Sequence, residues 1–430
     1  MLIADLTSVQ SRLGRMSGPL SRISADFVFA ALSQILGRGS LILASILVAN
    51  FMTVESFSTF TYFNLTLAMI ATFSTLGLSV AASRIFAEST VSLDADKRSE
   101  ARCVLALALG SAFVMVALLH MVPDAWLLAG TGLSRPAFYA SVMAITMNTV
   151  LMGAVSGRGD FRLLAIAGGA GLAVLLLAVA AAAQLGTISI AIWGVLASMT
   201  LQIGIYWTRL LPLLRGSGSR LMSRALAVKV LGVAGPMFVT SLLIATVFWA
   251  LGRHLLGAAN GPAEFSKYAV GLQWFSFILL VPSITTRVFF PRIVRATVND
   301  SAHRRPLVLT NTGANFLVAA AIGMGALLFD DTLLALYGNA HVTDAEVFRL
   351  FVLAAIAASP VNGLSSAIIT RDPGPRRWLL LQVGWALVAL FVARYVGLST
   401  GAAAPAAGFL AGYLCLLPAS LLVLWRMKLL

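Results

Sequence analysis

Twelve times along this chain an apolar stretch of about twenty residues gives way to a short gap, and the gaps are alternately rich and poor in arginine and lysine. A helix needs about 20 residues to cross the hydrocarbon core of a bilayer, so each stretch is long enough to span one. The candidate spans cover residues 27–50, 60–83, 103–123, 136–157, 163–185, 187–208, 229–252, 266–290, 306–329, 347–370, 378–397 and 402–425. Backbone groups in lipid must be hydrogen-bonded within the protein, which leaves helices or closed barrels. Runs this long, without the ten-residue alternation of barrel strands, select helices. Composition agrees: with 59% hydrophobic and 11% charged residues and a mean hydropathy of +0.93, the chain carries more apolar surface than a water-soluble core absorbs. The expected fold class is an all-α polytopic membrane protein.

A formal charge of +14 would suit a nucleic-acid binder, but the placement of the cations argues otherwise. Of 30 basic residues, 24 lie on one side, in the terminal segments or in and at the edges of every second gap, five lie on the other side, and Arg38 lies well inside a span. That asymmetry is the positive-inside pattern, which puts both termini in the cytoplasm and requires an even number of crossings. No gap is long enough to hold a soluble domain, so no nucleic-acid partner is expected. The first span lacks a small-residue cleavage site, and the chain is expected to be uncleaved. Residues 1–23 fit either a helix on the membrane surface or a disordered tail. Cys103 and Cys415 fall in distant spans and imply no disulfide framework.

The second and eighth spans begin alike. Residues 55–66 read ESFSTFTYFNLT and residues 264–274 read EFSKYAVGLQW. With Phe57 set against Phe265 the two stretches run on without a gap at an offset of 208, to Arg84-Ile85 and Arg292-Ile293. Aromatic belts and inner arginines recur in many membrane proteins, but a gapless match across a whole span favours duplication. The basic turns SGRGDFRLL at 156–164 and ITRDPGPRRWLL at 369–380 echo one another as well. Two six-span halves would be parallel repeats enclosing a central cleft, working by alternating access. The organisation read from this is a cytoplasmic segment 1–26, a first bundle 27–208, a cytoplasmic linker 209–228, a second bundle 229–425 and a tail 426–430.

The polar residues inside the spans are the candidates for what that cleft binds. Gln34 and Arg38 share a helix face in the first span. Asn64, Thr72, Thr75 and Ser79 form a stripe in the second, and Gln273, Ser276, Ser283 and Arg287 form one in the eighth. A guanidinium near mid-span is costly unless it faces protein or a water-filled cavity. Arg38 has no carboxylate well inside any span to neutralise it. A neighbouring helix carbonyl could satisfy it, but a substrate anion is the sharper reading, because a planar fork donor suits phosphate or carboxylate. Arg287 can instead snorkel to the interface, and the polar stripes can serve as packing glue between helices. Gly235-Pro236 in the seventh span, Pro282 in the eighth and Pro360 in the tenth interrupt helical hydrogen bonding and are candidate hinges, concentrated in the second half.

Other chemistries lack their residues. None of Lys97, Lys229, Lys267 and Lys428 follows a glycine, so no Gly-Lys-Ser/Thr phosphate loop exists. The four histidines have no metal-ligand spacing, and there is no nucleophile elbow. The sequence points to a transporter without enzymatic activity, cofactor or metal.

The stretch LGRHLLGAANGPAEFSKYAVGLQWFSFILLVPSITTRVFFPRI at 251–293 resembles the seventh-to-eighth span region of polysaccharide flippases in the multidrug, oligosaccharidyl-lipid and polysaccharide exporter (MOP) superfamily. LALYGNAHVTDAEVFRLFVLAA at 334–355 is similar to their ninth-to-tenth span region, and ASRIFAES at 82–89 to the end of their second. The resemblance implies a V-shaped pair of six-helix bundles around a central cavity in a bacterial inner membrane. It implies an activity too: flipping a lipid-linked oligosaccharide, carried on undecaprenyl pyrophosphate, from the cytoplasmic to the periplasmic leaflet for cell-surface polysaccharide biosynthesis. Arg38, with Arg287 nearer the inner mouth, would then hold the pyrophosphate, with Gln34, Asn64 and Gln273 beside the sugars. A glycan polymerase and a chain-length regulator are candidate partners. The rivals are an ion-coupled multidrug exporter of the same superfamily, which needs a mid-span carboxylate that is absent here, and a membrane scaffold or polymerase component, whose usual long outer loop is also missing.

Overall fold

The computed structural model describes residues 19–87, 95–128, 131–214, 224–258, 260–286, 289, 293, 301–338, 344–369, 374–396 and 401–427. In chain order the helices are α1 (Pro19–Phe51), α2 (Val54–Thr75), α3 (Leu78–Ala87), α4 (Ala95–Leu119), α5 (Asp124–Leu127), α6 (Arg135–Gly157), α7 (Phe161–Leu185) and α8 (Ile188–Leu214). They continue with α9 (Arg224–Leu256), α10 (Gly261–Ile278), α11 (Ser301–Leu328), α12 (Asp330–Ala335), α13 (Ala345–Ile369), α14 (Gly374–Val396) and α15 (Ala403–Arg426). Among the described residues 11 helices are long and apolar enough to cross a membrane, and the bent pair α2–α3 makes up to 12. Every candidate span of the sequence therefore has its helix.

Local chemistry sets several helix ends. The Thr53 hydroxyl accepts from the Ser56 amide at the start of α2, and the Asp160 carboxylate accepts from the Leu163 amide at the start of α7, each satisfying an amide that the first turn leaves unpaired. Gly186 ends α7 in the left-handed conformation, at φ 66°. The basic Arg102 of α4 donates from Nε to the Leu214 carbonyl at the C-terminus of α8, 3.1 Å away, where a cation meets the negative end of a helix.

One span departs from expectation. The second does not run straight from 60 to 83: it bends by 60° between α2 and α3. Leu76 at φ 48° and Gly77 at φ 73° adopt the left-handed conformation there, which ends the hydrogen-bond ladder without any proline. Ser79 therefore sits in a different helix from Asn64 and Thr72, and the four-residue stripe is really shorter. Pro360 lies buried inside a continuous α13, and α9 passes through Gly235-Pro236 as unbroken helix. At Pro282 the effect is visible: α10 stops at Ile278, whose carbonyl cannot receive an amide from Pro282, and helix resumes after Leu279 through Thr286. The sharpest break among the described spans thus falls in the first half, not the second.

In chain order the helices divide into two sets, α1–α8 and α9–α15, with α9 packed on α2, α3 and α4 as well as on α10 and α14. In the first, α7 lies against both α1 and α8, which places its GGAGLA run at a close-packed surface, and α6 packs along α3. In the second, α15 lies against α13 and α14, and α11 against α13. Small residues allow the closest approach. A Cβ on Gly153 or Gly157 of α6 would fall within 3.0 Å of the Cα of Ser79 or Ser83 in α3, so the Gly-x-x-x-Gly pair admits the backbone of the bent span.

Candidate functional site

The two halves meet along α2, which packs on both α9 and α10, and toward the arginine-rich gaps along α9, which packs on α3 and α4 and buries Val230 against the first half. At the end of the bundle away from the arginine-rich gaps, called the far end here, this seam is closed by aromatic rings and a few directed bonds. Tyr62 of α2 meets Phe265 of α10 edge-on at 5.7 Å, and Phe57 meets Tyr337, just beyond α12, at 6.4 Å. The repeated phrase of the sequence is thus a structural device: its two phenylalanines are both fully buried in this closure. Trp249 Nε1 donates to Thr66 Oγ1 at 3.1 Å across the seam, and the Arg253 guanidinium sits 5.8 Å from the centre of the Trp126 ring. Asn50 at the end of α1 donates to the Leu336 carbonyl of the other half. Each aromatic pair contributes about 0.5–1.5 kcal/mol beyond area burial, and each neutral hydrogen bond about 1 kcal/mol.

Below this closure part of the α2 surface is accessible. The face of α2 that carries Phe57 continues, at helical spacing, through Asn64, Ala68 and Thr72. Phe57 is buried, Asn64 and Thr72 are half-exposed, and Ala68 is exposed. On α10, Gln273 is half-buried and its Oε1 accepts from the Tyr337 hydroxyl at 3.1 Å, while Ser276, one turn on, is exposed. The accessible polar positions therefore begin just under the Phe57–Tyr337 contact. The pseudo-equivalent helix pairs are unequally closed, since α2 packs along α9 whereas α1 touches α10 at few positions.

The sequence-derived candidates fare differently. Gln34 is half-exposed in α1 and makes no hydrogen bond among the described residues. Asn64 donates to the Phe60 carbonyl of its own helix at 2.9 Å, Thr72 to Ala68 at 3.0 Å and Ser276 to Leu272 at 2.8 Å. These side chains fold back on their own helices and do not join neighbours. The backbone of Arg38 belongs to α1, but its side chain, like the whole of Arg287, lies outside the described residues, as do the side chains of Gly235 and Pro236.

The residues that do join helices are ones sequence reasoning passed over. In the first half Ser74 and Thr146 share a hydrogen bond at 2.5 Å, and Asn148 Nδ2 donates to Gln202 Oε1 at 3.2 Å. In the second, Asn315 Nδ2 donates to Thr286 Oγ1 at 2.8 Å, and the Ser359 hydroxyl to the Asn315 carbonyl at 2.6 Å. Asparagine and glutamine in mid-span were the available signal, because such amides seek partners across helices. No group of three or more metal-ligating side chains occurs among the described residues.

No protein-family model matches the chain. Solved structures match it over nearly its whole length. An inward-facing multidrug resistance MATE family transporter of the MOP superfamily is 18% identical, with a TM-score of 0.66, over 92% of this chain and 94% of that one. The outward-facing form of such a transporter gives 18% and 0.67 over 94% and 95%. The fold is the one these solved transporters share. A further MOP superfamily transporter, from Pyrococcus furiosus, whose binding pocket is described as reversed in polarity, is 17% identical with a TM-score of 0.63, over 94% and 95%. Among curated proteins, the EPS I polysaccharide export inner membrane protein EpsE of Ralstonia nicotianae is 23% identical over 420 residues, 93% of each chain. The proteins this chain matches are named as exporters and transporters, not enzymes.

Proposed function

We propose that this protein exports polysaccharide precursors across a bacterial inner membrane, turning a polyprenyl-pyrophosphate-linked oligosaccharide from the cytoplasmic to the periplasmic leaflet by alternating access. The observation that carries the reading is the unequal seam: closed by buried aromatic residues at the far end and lined below by accessible polar positions on α2 and α10. With the basic gaps in the cytoplasm, the aromatic closure faces the periplasm, and the accessible polar positions lie between it and the packing of α9 on α3 and α4 nearer the cytoplasm. The name of the Ralstonia relative, a polysaccharide export inner membrane protein, supports the same cargo class and location.

In this mechanism Arg38, with Arg287 nearer the cytoplasmic interface, receives the pyrophosphate by charge-assisted hydrogen bonds. Gln34, Asn64 and Gln273 face the sugars, and the polyprenyl tail stays in lipid. Weak packing between α1 and α10 leaves a side opening through which headgroup and tail can enter together. Rupture of the Phe57–Tyr337 and Trp249–Thr66 contacts then opens the periplasmic side, with Gly235, Pro236, Pro282 and Pro360 as the bending points. Sparse cations on that side favour release of the anion.

The structural neighbours favour a second reading, multidrug export. Coupling to sodium or protons there calls for an ionisable carboxylate in the membrane, and the aspartates and glutamates of this chain lie at or beyond the span ends. Deletion in the native host separates the two. Accumulation of lipid-linked intermediates supports the flippase, whereas unchanged glycans with raised dye sensitivity would support drug export.

A further inference from the structure

In the second half α14 and the antiparallel α15 enclose a groove of about 390 Å³. Its walls are Leu381, Gly384 and Trp385 on one side and Cys415, Leu416 and Ala419 on the other, and its mouth is Arg377. It extends from Arg377 to Val388 along α14, about 16 Å at 1.5 Å per residue, which is about half the hydrocarbon thickness of a bilayer and so the depth of one leaflet. Antiparallel packing brings Arg376 and Arg377 at the start of α14 to the same end as Arg426 at the close of α15. None of the three has an ion-pair or hydrogen-bond partner among the described residues. A one-leaflet apolar channel ending in clustered guanidinium groups matches one ligand chemistry, an acyl chain below a phosphate of net negative charge.

We propose that this groove is a binding site for an anionic phospholipid of the leaflet at the basic end, with one acyl chain between α14 and α15 and the headgroup phosphate on Arg377, flanked by Arg376 and Arg426. The site is lined by residues of α14 and α15 alone and does not depend on the cargo proposed above.

The test is native mass spectrometry of the full-length protein released from nanodiscs containing equal amounts of phosphatidylethanolamine and phosphatidylglycerol. The wild type should retain phosphatidylglycerol in preference to phosphatidylethanolamine. Arg377→Gln should weaken that retention about five-fold, the loss expected for one basic residue at an anionic surface. Gly384→Leu tests the apolar part, because a Cβ at Gly384 meets nothing within 4 Å and the added side chain fills the groove without disturbing the fold. It should lower retention while leaving the melting temperature unchanged. Arg394→Gln, at the opposite end of α14, should leave retention as in the wild type. Equal retention of the two lipids by the wild type, or wild-type retention by both Arg377→Gln and Gly384→Leu, would overturn the proposal. So would displacement of phosphatidylglycerol by a stoichiometric polyprenyl phosphate, which would assign the groove to the carrier lipid.

Discussion

Trp249 and Thr66 form one of the few directed bonds across the seam, and Thr66 is fully buried. Replacing Trp249 by Phe keeps most of the ring packing and removes the indole donor, a loss of about 1 kcal/mol. The closed state of the far end should therefore lose about five-fold in population relative to the open one. Distance distributions between spin labels on the two halves at that end would show the shift, and an unchanged distribution would remove this bond from the gate. A second far-end contact responds to pH. Arg349 Nε donates to Asp330 Oδ2 at 2.6 Å, and this bond is the main cause holding the Asp330 carboxyl below the usual carboxylate range. A carboxyl depressed in the folded state lends stability above its unfolded pKa, and that contribution fades as pH falls through the folded value. Thermal unfolding of the wild type should weaken on acidification through and below the ordinary carboxylate range, and Asp330→Asn should flatten that part of the profile. Equal slopes for both proteins would show that the pair is not coupled to folding. Arg38 stood out in the sequence because its cost in a membrane is large whatever surrounds it. Asn64 and Thr72 could be placed on one helix face, but not their choice of their own helix carbonyls as partners, since that depends on what packs opposite.

Among the helices, the contact of α6 with α3 is set by backbone proximity. Gly153→Leu would drive a side chain into the Ser79 backbone, and overpacking of that kind costs about 1–3 kcal/mol. A lower melting temperature for Gly153→Leu, beside a near-neutral Gly384→Leu control on the open face of α14, is the expected result; equal melting would mean that α3 yields. The positions of the spans were legible because length and hydropathy answer to the bilayer directly, and the helix ends fall within a few residues of expectation in most of them. The bend at Leu76-Gly77 was not. Leucine is a poor marker of left-handed backbone, and only tertiary packing of α3 on α6 fixes that conformation. Proline, the visible signal, proved an unequal guide: Pro282 coincides with an interruption and Pro360 sits in unbroken helix.

For the protein as a whole, the internal repeat carried more information than any motif, because two copies of one span must be related in space and their shared aromatic opening had to meet something. It meets the other half, where Tyr62 packs on Phe265 and Phe57 on Tyr337. What the repeat left open was how tightly each end of the seam would be closed, since this depends on a small free-energy difference between two arrangements of the same contacts. The central claim is that this seam moves a lipid-linked oligosaccharide between leaflets with Arg38 as its anion contact. Its most direct test is reconstitution of the purified protein into proteoliposomes carrying a fluorescent polyprenyl-pyrophosphate-linked oligosaccharide, with the glycan reaching the opposite leaflet read by a membrane-impermeant quencher. Wild-type protein should transfer the glycan, Arg38→Lys should retain part of that rate, and Arg38→Ala should fall to the rate of empty liposomes. No transfer by the wild type, or equal transfer by Arg38→Ala, would contradict the account.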